Sequence, residues 1–302
     1  MKVFNLIAKK IKNFSELVMF EHTIFSASFS FMAICVALMY KYFANSFDVF
    51  SEIKIFFLCI IALVSARNFA MGFNRLCDRD IDRKNQRTKN RPSVDGRISL
   101  FTMILFCSLN ALIFIAVSFF INQLAFYLSF PFLIILAFYS FMKRFSVLAH
   151  FILGLSLGLA PIAGAVAILG AIPLWSIFLA LGVLFWVAGF DLLYSLQDIE
   201  FDKKEGLFSF PAKFGIEKTL FYSRVSHFFA VFFWFWFLWS INSGIFGFLG
   251  ILCATGMLCY EQYIVARDLK NIPKAFFVTN GYLGFVFLVF IILEVVARIY
   301  YA

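Results

Sequence analysis

Apolar residues fall into nine long runs along this sequence, at 23–43, 52–75, 99–120, 124–141, 146–170, 173–196, 217–239, 244–263 and 276–299. Each approaches the roughly 20 residues that a helix needs to cross the hydrocarbon of a bilayer. Apolar positions within a run are continuous and do not alternate with polar ones. That argues against the strands of a membrane β-barrel. Pro161 and Gly164 interrupt the fifth run, a break that neighbouring helices can absorb inside a bundle. The pattern predicts an all-α fold: a polytopic membrane bundle of nine transmembrane helices.

The polar segments between the runs carry their cations unevenly. Arg79, Arg83, Lys84, Arg87, Lys89, Arg91 and Arg97 follow the second run. Lys143 and Arg144 follow the fourth, Lys203, Lys204 and Lys213 the sixth, and Arg267, Lys270 and Lys274 the eighth. The connections after runs three, five and seven have no Lys or Arg, and Lys41 and Lys54 flank the first outer connection as the exception. Lys and Arg are retained on the cytoplasmic side. The alternation therefore predicts a cytoplasmic N-terminus, an outer C-terminus and an odd number of spans. Lys2, Lys9, Lys10 and Lys12 precede the first run as in a signal peptide. That run is long and no small-residue cleavage site follows it, so it reads as a retained span.

Composition narrows the class further. Of 302 residues, 63% are apolar and 14% charged, with a mean hydropathy of +0.92. Soluble domains are nearer half apolar and a quarter charged. A soluble enzyme, a disordered tail and a collagen-like fibre are excluded. The net charge of +9 reads as topology, because no basic stripe lies on a soluble domain; no nucleic-acid partner is expected. Cys35, Cys59, Cys77, Cys107, Cys253 and Cys259 have no CxxC spacing and read as buried small hydrophobes. The 46 Phe residues are read as filler of lipid-facing positions.

An internal repeat singles out the candidate chemistry. Residues 78–84 read Asp-Arg-Asp-Ile-Asp-Arg-Lys and residues 198–204 read Asp-Ile-Glu-Phe-Asp-Lys-Lys, each at the cytoplasmic end of a span. The chain is accordingly read as one domain over 1–302, with two pseudo-repeated halves near 20–145 and 146–263 and a final span. Asn74, Asp78 and Asp82 are four residues apart, so a helix presents them on one face. Asp191, Tyr194, Asp198 and Asp202 form a second ladder, spaced three, four and four. Asp80 and Glu200 point elsewhere and are expected to be solvated. Carboxylates stacked on one face repel unless a cation sits among them. Arg or Lys can supply it, as can a divalent metal. Acids without Cys or His suit a hard ion, and Mg²⁺ prefers to share itself between carboxylates and phosphates. The two ladders read as a clamp for a magnesium-bridged diphosphate at the cytoplasmic mouth of the bundle.

Other residues join this site more loosely. Arg67 lies seven residues before Asn74 inside an apolar run, where a charge needs a partner or an anionic ligand. Arg87, Arg91 and Lys143 are placed either to hold phosphate oxygens or to serve as loop and positive-inside charges. Tyr139 lies four residues before Lys143. His22, His150 and His227 are isolated and read as structural or interfacial.

Asn74-xxx-Asp78-xxx-Asp82 and Asp191-xx-Tyr194-xxx-Asp198-xxx-Asp202 resemble the two aspartate-rich motifs of the UbiA superfamily of intramembrane aromatic prenyltransferases, typified by 4-hydroxybenzoate polyprenyltransferase. Arg87-Thr88-x-x-Arg91-Pro92 and Tyr139-xxx-Lys143 match as well, and the likeness covers nearly the whole chain. Arg75 departs from it, standing where many members have Asp. The resemblance implies transfer of a polyprenyl group from an allylic polyprenyl diphosphate to the ring of a hydroxylated aromatic acid, with Mg²⁺ as cofactor. It assigns Asn74, Asp78, Asp82, Asp191, Asp198 and Asp202 to the metal–diphosphate site, with Asp78, Asp82, Asp198 and Asp202 catalytic. Arg87, Arg91 and Lys143 become diphosphate ligands, and Arg67 a ligand of the acceptor carboxylate or of a diphosphate oxygen. Tyr139 and Tyr194 orient substrate or flank the carbocation. Glu21-His22-Thr23-Ile24-Phe25 and Met71-Gly72-Phe73-Asn74-Arg75 resemble the branch acting on 4-hydroxybenzoate or on the dihydroxynaphthoate of the futalosine menaquinone route. Both make quinone precursors at a bacterial-type inner membrane, with the active site facing the cytoplasm. A haem O synthase-like farnesyl transfer is the alternative within the superfamily. A divalent-cation transporter, from another class, would need acids on both sides of a path, and here they cluster at one end.

Overall fold

The computed structural model describes residues 12–18 and 23–301. Lys2, Lys9, Lys10, Glu21 and His22 lie outside the described residues. Among those described, nine helices have 20 or more residues: α1 (Thr23–Phe43), α2 (Val49–Cys77), α3 (Leu100–Ile121), α4 (Gln123–Met142), α5 (Ala149–Leu169), α6 (Leu174–Ser195), α7 (Phe210–Ser240), α8 (Ile245–Arg267) and α9 (Asn280–Tyr300). Two short helices, Arg79–Lys84 and Ile199–Glu205, follow α2 and α6. No strand occurs among the described residues.

Seven segments are long and apolar enough to cross a membrane. The exceptions are α1, where the apolar stretch is the shorter Ala27–Phe43, and α7. The first half of α7 carries Lys213, Glu217, Lys218 and Arg224, and Gly215 breaks it at φ 82°. The helix therefore starts seven residues before the apolar run that predicts it, as a polar extension.

Local sequence fixes several helix ends. Asp48 accepts a hydrogen bond from the Ser51 amide at 2.9 Å, Ser99 from Thr102 at 3.2 Å and Asn122 from Ala125 at 2.8 Å. Each satisfies an amide that the first helical turn leaves without a partner. Gly170 closes α5 in the left-handed region at φ 64°, where only Gly is free of a Cβ penalty.

The helices pack in two groups that share α5. On one side α1, α5, α6, α7, α8 and α9 follow one another around a ring, and on the other α2, α3 and α4 pack together and reach α5 through α4. The ring is filled by Phe29, Trp186, Trp234 and Phe287, all buried, with ring centroids 5.0 Å apart for Phe29–Trp186 and 5.5 Å for Trp234–Phe287. Gly154 and Gly158 let α5 lie against α6. A Cβ at Gly154 would overlap the Leu184 carbonyl, and one at Gly158 would stand 2.8 Å from the Ala180 oxygen. Lipid tails offer no contrast to apolar side chains, so close backbone approach of this kind holds membrane helices together.

Two expectations change here. Cys59 and Cys107 are buried, but Cys253 and Cys259 are exposed on α8. An apolar thiol is as well accommodated facing lipid as facing the core. Lys41, the exception to the charge alternation, pairs with the buried Glu52 across the α1–α2 connection. Its charge is met locally, so it carries little topological weight.

Candidate active site

Helix α2 ends at Cys77, and Asp78 leaves helical geometry with φ −90° and ψ 5° before the short helix Arg79–Lys84 begins. Helix α6 ends in the same way. After one 3₁₀ turn, Leu196–Asp198, Asp198 takes φ −105° and ψ 6°, and Ile199–Glu205 follows. Each acidic ladder is thus broken at a middle Asp, which corrects the expectation of one continuous helical face. The carboxylates on either side of the first break meet different partners. Asp78 bonds Lys143 at the end of α4 at 2.7 Å, and Asp82 bonds Arg91 in the following segment at 2.7 Å. One straight face would point both carboxylates the same way.

The two ends meet through cations and amides. Arg87 donates from Nε to Asp198 Oδ1 at 3.0 Å, and its terminal nitrogens bond Asp198 Oδ2 and, at 2.9 Å, the Tyr194 hydroxyl. Asn85 Nδ2 donates to the same Asp198 Oδ1 at 3.1 Å, and Lys84 pairs with Glu205 at 2.5 Å. Asn74 Nδ2 donates to Asp78 Oδ2 at 3.2 Å. Asp80 and Glu200 are exposed, and Asp80 pairs with Arg144 at 2.8 Å.

Most of these groups, but not Lys84, Glu205, Asp80, Glu200 or Arg144, line one polar cavity of about 240 Å³. Of the residues singled out from sequence, Asn74, Asp78, Asp82, Arg87, Arg91, Tyr139, Lys143, Asp191, Tyr194, Asp198 and Asp202 all line it. Arg67 does not. It lines a second, apolar cavity of about 140 Å³ with Ser30, Phe114, Phe132 and Leu157, among others. Tyr139 lines both, with its hydroxyl donating to the Ala70 carbonyl at 3.4 Å.

Sequence reasoning passed over several lining residues, Asn85, His150 and Arg75 among them. His150 bonds Asp191 Oδ2 through Nδ1 at 2.6 Å. It opens α5 just after the basic Lys143–Arg144 connection, so its position along the chain placed it at this end. Arg75, noted only as a departure from the motif, is buried and lines the cavity between Asn74 and Asp78.

Among the described residues no group of three His, Cys, Asp or Glu is gathered to hold a metal ion; Asp78, Asp82 and Asp198 pair instead with Lys143, Arg91 and Arg87. The donor set still fits a hard cation. Asp78 Oδ1 and Asp82 Oδ2 are buried without hydrogen-bond partners, and a buried oxygen in that state is costly. Burial pushes the Asp78 carboxyl above its ordinary value, and Lys143 beside it opposes the rise. A magnesium ion needs only one or two such oxygens when phosphates and waters complete its shell.

Comparison with known proteins gives this arrangement a family. The model of the UbiA prenyltransferase family matches residues 26–291. The chain belongs to the UbiA prenyltransferase family. It is accordingly a prenyltransferase and an integral membrane protein. A 4-hydroxybenzoate octaprenyltransferase of Coxiella burnetii (strain CbuK_Q154) is 27% identical over 77% of this chain and 80% of its own length. One from Dechloromonas aromatica (strain RCB) is 32% identical over 52% of this chain, and the match spans about half of that relative, 53%. The apo structure of a UbiA homologue from Aeropyrum pernix K1 is 30% identical with a TM-score of 0.79, covering 91% of this chain and 98% of that one. A UbiA homologue from Archaeoglobus fulgidus bound to GPP and Mg²⁺ shares the fold at 20% identity, with a TM-score of 0.73 over 94% and 99% of the two chains.

Proposed function

We propose that this chain transfers a polyprenyl group from an allylic polyprenyl diphosphate to the ring of a hydroxylated aromatic acid of the 4-hydroxybenzoate type, in quinone biosynthesis, with Mg²⁺ as cofactor. The observation that carries the reading is the pair of half-satisfied carboxylates. Asp78 and Asp82 each give one oxygen to a cation and keep the other buried and unbonded, in a cavity shared with Arg87, Arg91 and Lys143. Relatives named 4-hydroxybenzoate octaprenyltransferase support the acceptor class.

In this reading Asn74, Asp78, Asp82, Asp191, Asp198 and Asp202 hold magnesium, which supplies charge neutralisation to the diphosphate. Arg87, Arg91 and Lys143 exchange their carboxylate partners for diphosphate oxygens and so favour the charge that grows there as the C–O bond breaks. The bonding pair leaves with the diphosphate and an allylic cation remains. The electron-rich acceptor ring attacks that cation, forms the C–C bond and then loses its ring proton. The apolar cavity takes the isoprenoid and keeps out water that would quench the cation. Tyr139, common to both cavities, stands where tail meets head group, and Tyr194 holds Arg87. Arg67 in the apolar cavity takes the acceptor carboxylate.

The same reading has nine spans, a cytoplasmic N-terminus, pseudo-repeated halves within one domain, and a site facing the cytoplasm at a bacterial-type inner membrane. The test is an assay on membranes with an allylic diphosphate and Mg²⁺, offering 4-hydroxybenzoate and a dihydroxynaphthoate in parallel. Product that EDTA removes and Asp78→Ala or Asp198→Ala abolishes is expected. Full activity in either variant would sink the site assignment.

A further inference from the structure

Between α8 and α9 the chain makes an unusual turn. Ala275–Thr279 is π-helical and runs directly into α9. A π turn is rare because it inserts a residue into the hydrogen-bond ladder, and it rotates the side chains before it relative to those after it. The Asn280 side chain latches this one. Its Nδ2 donates to the Ala275 carbonyl at 3.2 Å and to Glu261 Oε1 on α8 at 3.0 Å, and its Oδ1 accepts from Trp186 Nε1 on α6 at 2.8 Å. All three side chains are buried, so they join α6, α8 and α9 by bonds that water cannot replace.

The turn delivers Phe276 to α6. Its ring lies 4.2 Å from that of Tyr194 and 5.3 Å from that of Phe190, between residues one helical turn apart. Tyr194 in turn accepts from Arg87 at 2.9 Å and lies under its guanidinium, 5.3 Å from the ring centre. Phe276 does not line the polar cavity; it stands behind a residue that does.

We propose that the π turn latched by Asn280 is a positioning element of the diphosphate site, acting through Phe276 on Tyr194 and through Tyr194 on Arg87. The inference rests on the reading of Arg87 as a diphosphate ligand. Phe276 is a positioning residue: it acts on the site through Tyr194. Without its ring, Tyr194 gains freedom to turn about the side-chain bonds that set its hydroxyl, and Arg87 loses a fixed partner.

The test uses the full chain in detergent and calorimetric binding of geranyl diphosphate with Mg²⁺. Phe276→Leu removes the ring and keeps an apolar side chain, Phe276→Tyr restores the ring, and Arg87→Ala serves as reference. Phe276→Leu is expected to weaken binding by about two- to tenfold, the worth of one aromatic pair. Phe276→Tyr should bind as the unaltered chain does, and Phe276→Leu should add nothing in the Arg87→Ala background. Unaltered binding by Phe276→Leu, or an equal loss with and without Arg87, would overturn the inference while leaving Arg87 in its role. If Arg87→Ala itself binds geranyl diphosphate normally, the diphosphate reading of Arg87 falls and the inference falls with it. Asn280→Ala should act in the same direction, with Phe276→Leu as the variant that spares the buried network.

Discussion

Arg87 and Asp198 stand 111 residues apart in sequence and meet through two hydrogen bonds of one guanidinium on one carboxylate. The segment after α2 is thereby tied to the end of α6. The bond is charge-assisted and forked, a geometry that a guanidinium fits and an ammonium does not.

Arg87→Lys should therefore behave as a disruptive change. A single ammonium cannot keep the Tyr194 hydroxyl and also present a fork to the diphosphate oxygens that replace Asp198 in the proposed complex. We expect the KM for the prenyl diphosphate to rise roughly tenfold or more, as for loss of one charge-assisted hydrogen bond of about 1.5–3 kcal/mol. Steady-state kinetics on membranes checks this, and kinetics like those of the unaltered chain would remove Arg87 from diphosphate binding.

Arg67 predicts the opposite division. It lines the apolar cavity and lies apart from the polar one. Arg67→Ala should raise the KM for the aromatic acid and leave that for the prenyl diphosphate near its original value. A change in the diphosphate KM alone would move Arg67 to the other substrate.

The α5–α6 crossing makes a prediction about stability. Gly154→Ala sets a methyl against the Leu184 backbone carbonyl, which has no flexible end to move aside. Overpacking of this kind costs about 1–3 kcal/mol. The thermal midpoint in detergent should fall, and a midpoint equal to that of the unaltered chain would show that the crossing relaxes freely.

Acid should loosen the segment before α1. Glu16, in the helical stretch at 12–18, pairs with Arg97 at 2.6 Å, and that bond holds the Glu16 carboxyl below its ordinary value. A carboxyl depressed in the folded state stabilises fully above its unfolded pKa, and that contribution is lost as pH falls through the folded one. The pair is exposed, so the effect is local. The protection of amides 12–18 from hydrogen exchange, taken relative to the intrinsic rate at each pH, should fall as the pH drops below the usual carboxylate range, and Glu16→Gln should show the low protection already at neutral pH. Exchange that ignores both would show that Arg97 does not hold the segment.

Long-range order was well written in the sequence. Apolar runs of the right length mark the helices, and the acids fall at the ends of α2 and α6. What was hidden depends on contacts between distant residues. Nothing near Asp78 or Asp198 signals a helix break: Leu76, Cys77 and Arg79 are ordinary helix residues, as are Gln197 and Ile199. At each break the carboxylate meets a cation from another element, Lys143 at Asp78 and Arg87 at Asp198. His150 looked isolated because Asp191, its partner, lies 41 residues away. The π turn at Ala275–Thr279 has no sequence mark at all, since its latch draws on Glu261 and Trp186 from two other helices.

The matched breaks at Asp78 and Asp198 have an electrical consequence. A helix carries roughly half a negative elementary charge at its C-terminal end, from carbonyls left without amide partners. Both α2 and α6 end where their acidic residues line the polar cavity, so two such ends converge there. The short helices Arg79–Lys84 and Ile199–Glu205 start at the same two breaks, and their first amides set an opposing positive end beside each. The backbone contributions therefore offset one another, and in a variant stripped of one carboxylate the cations Arg75, Arg87, Arg91 and Lys143 of the lining would dominate the field that an approaching ion meets.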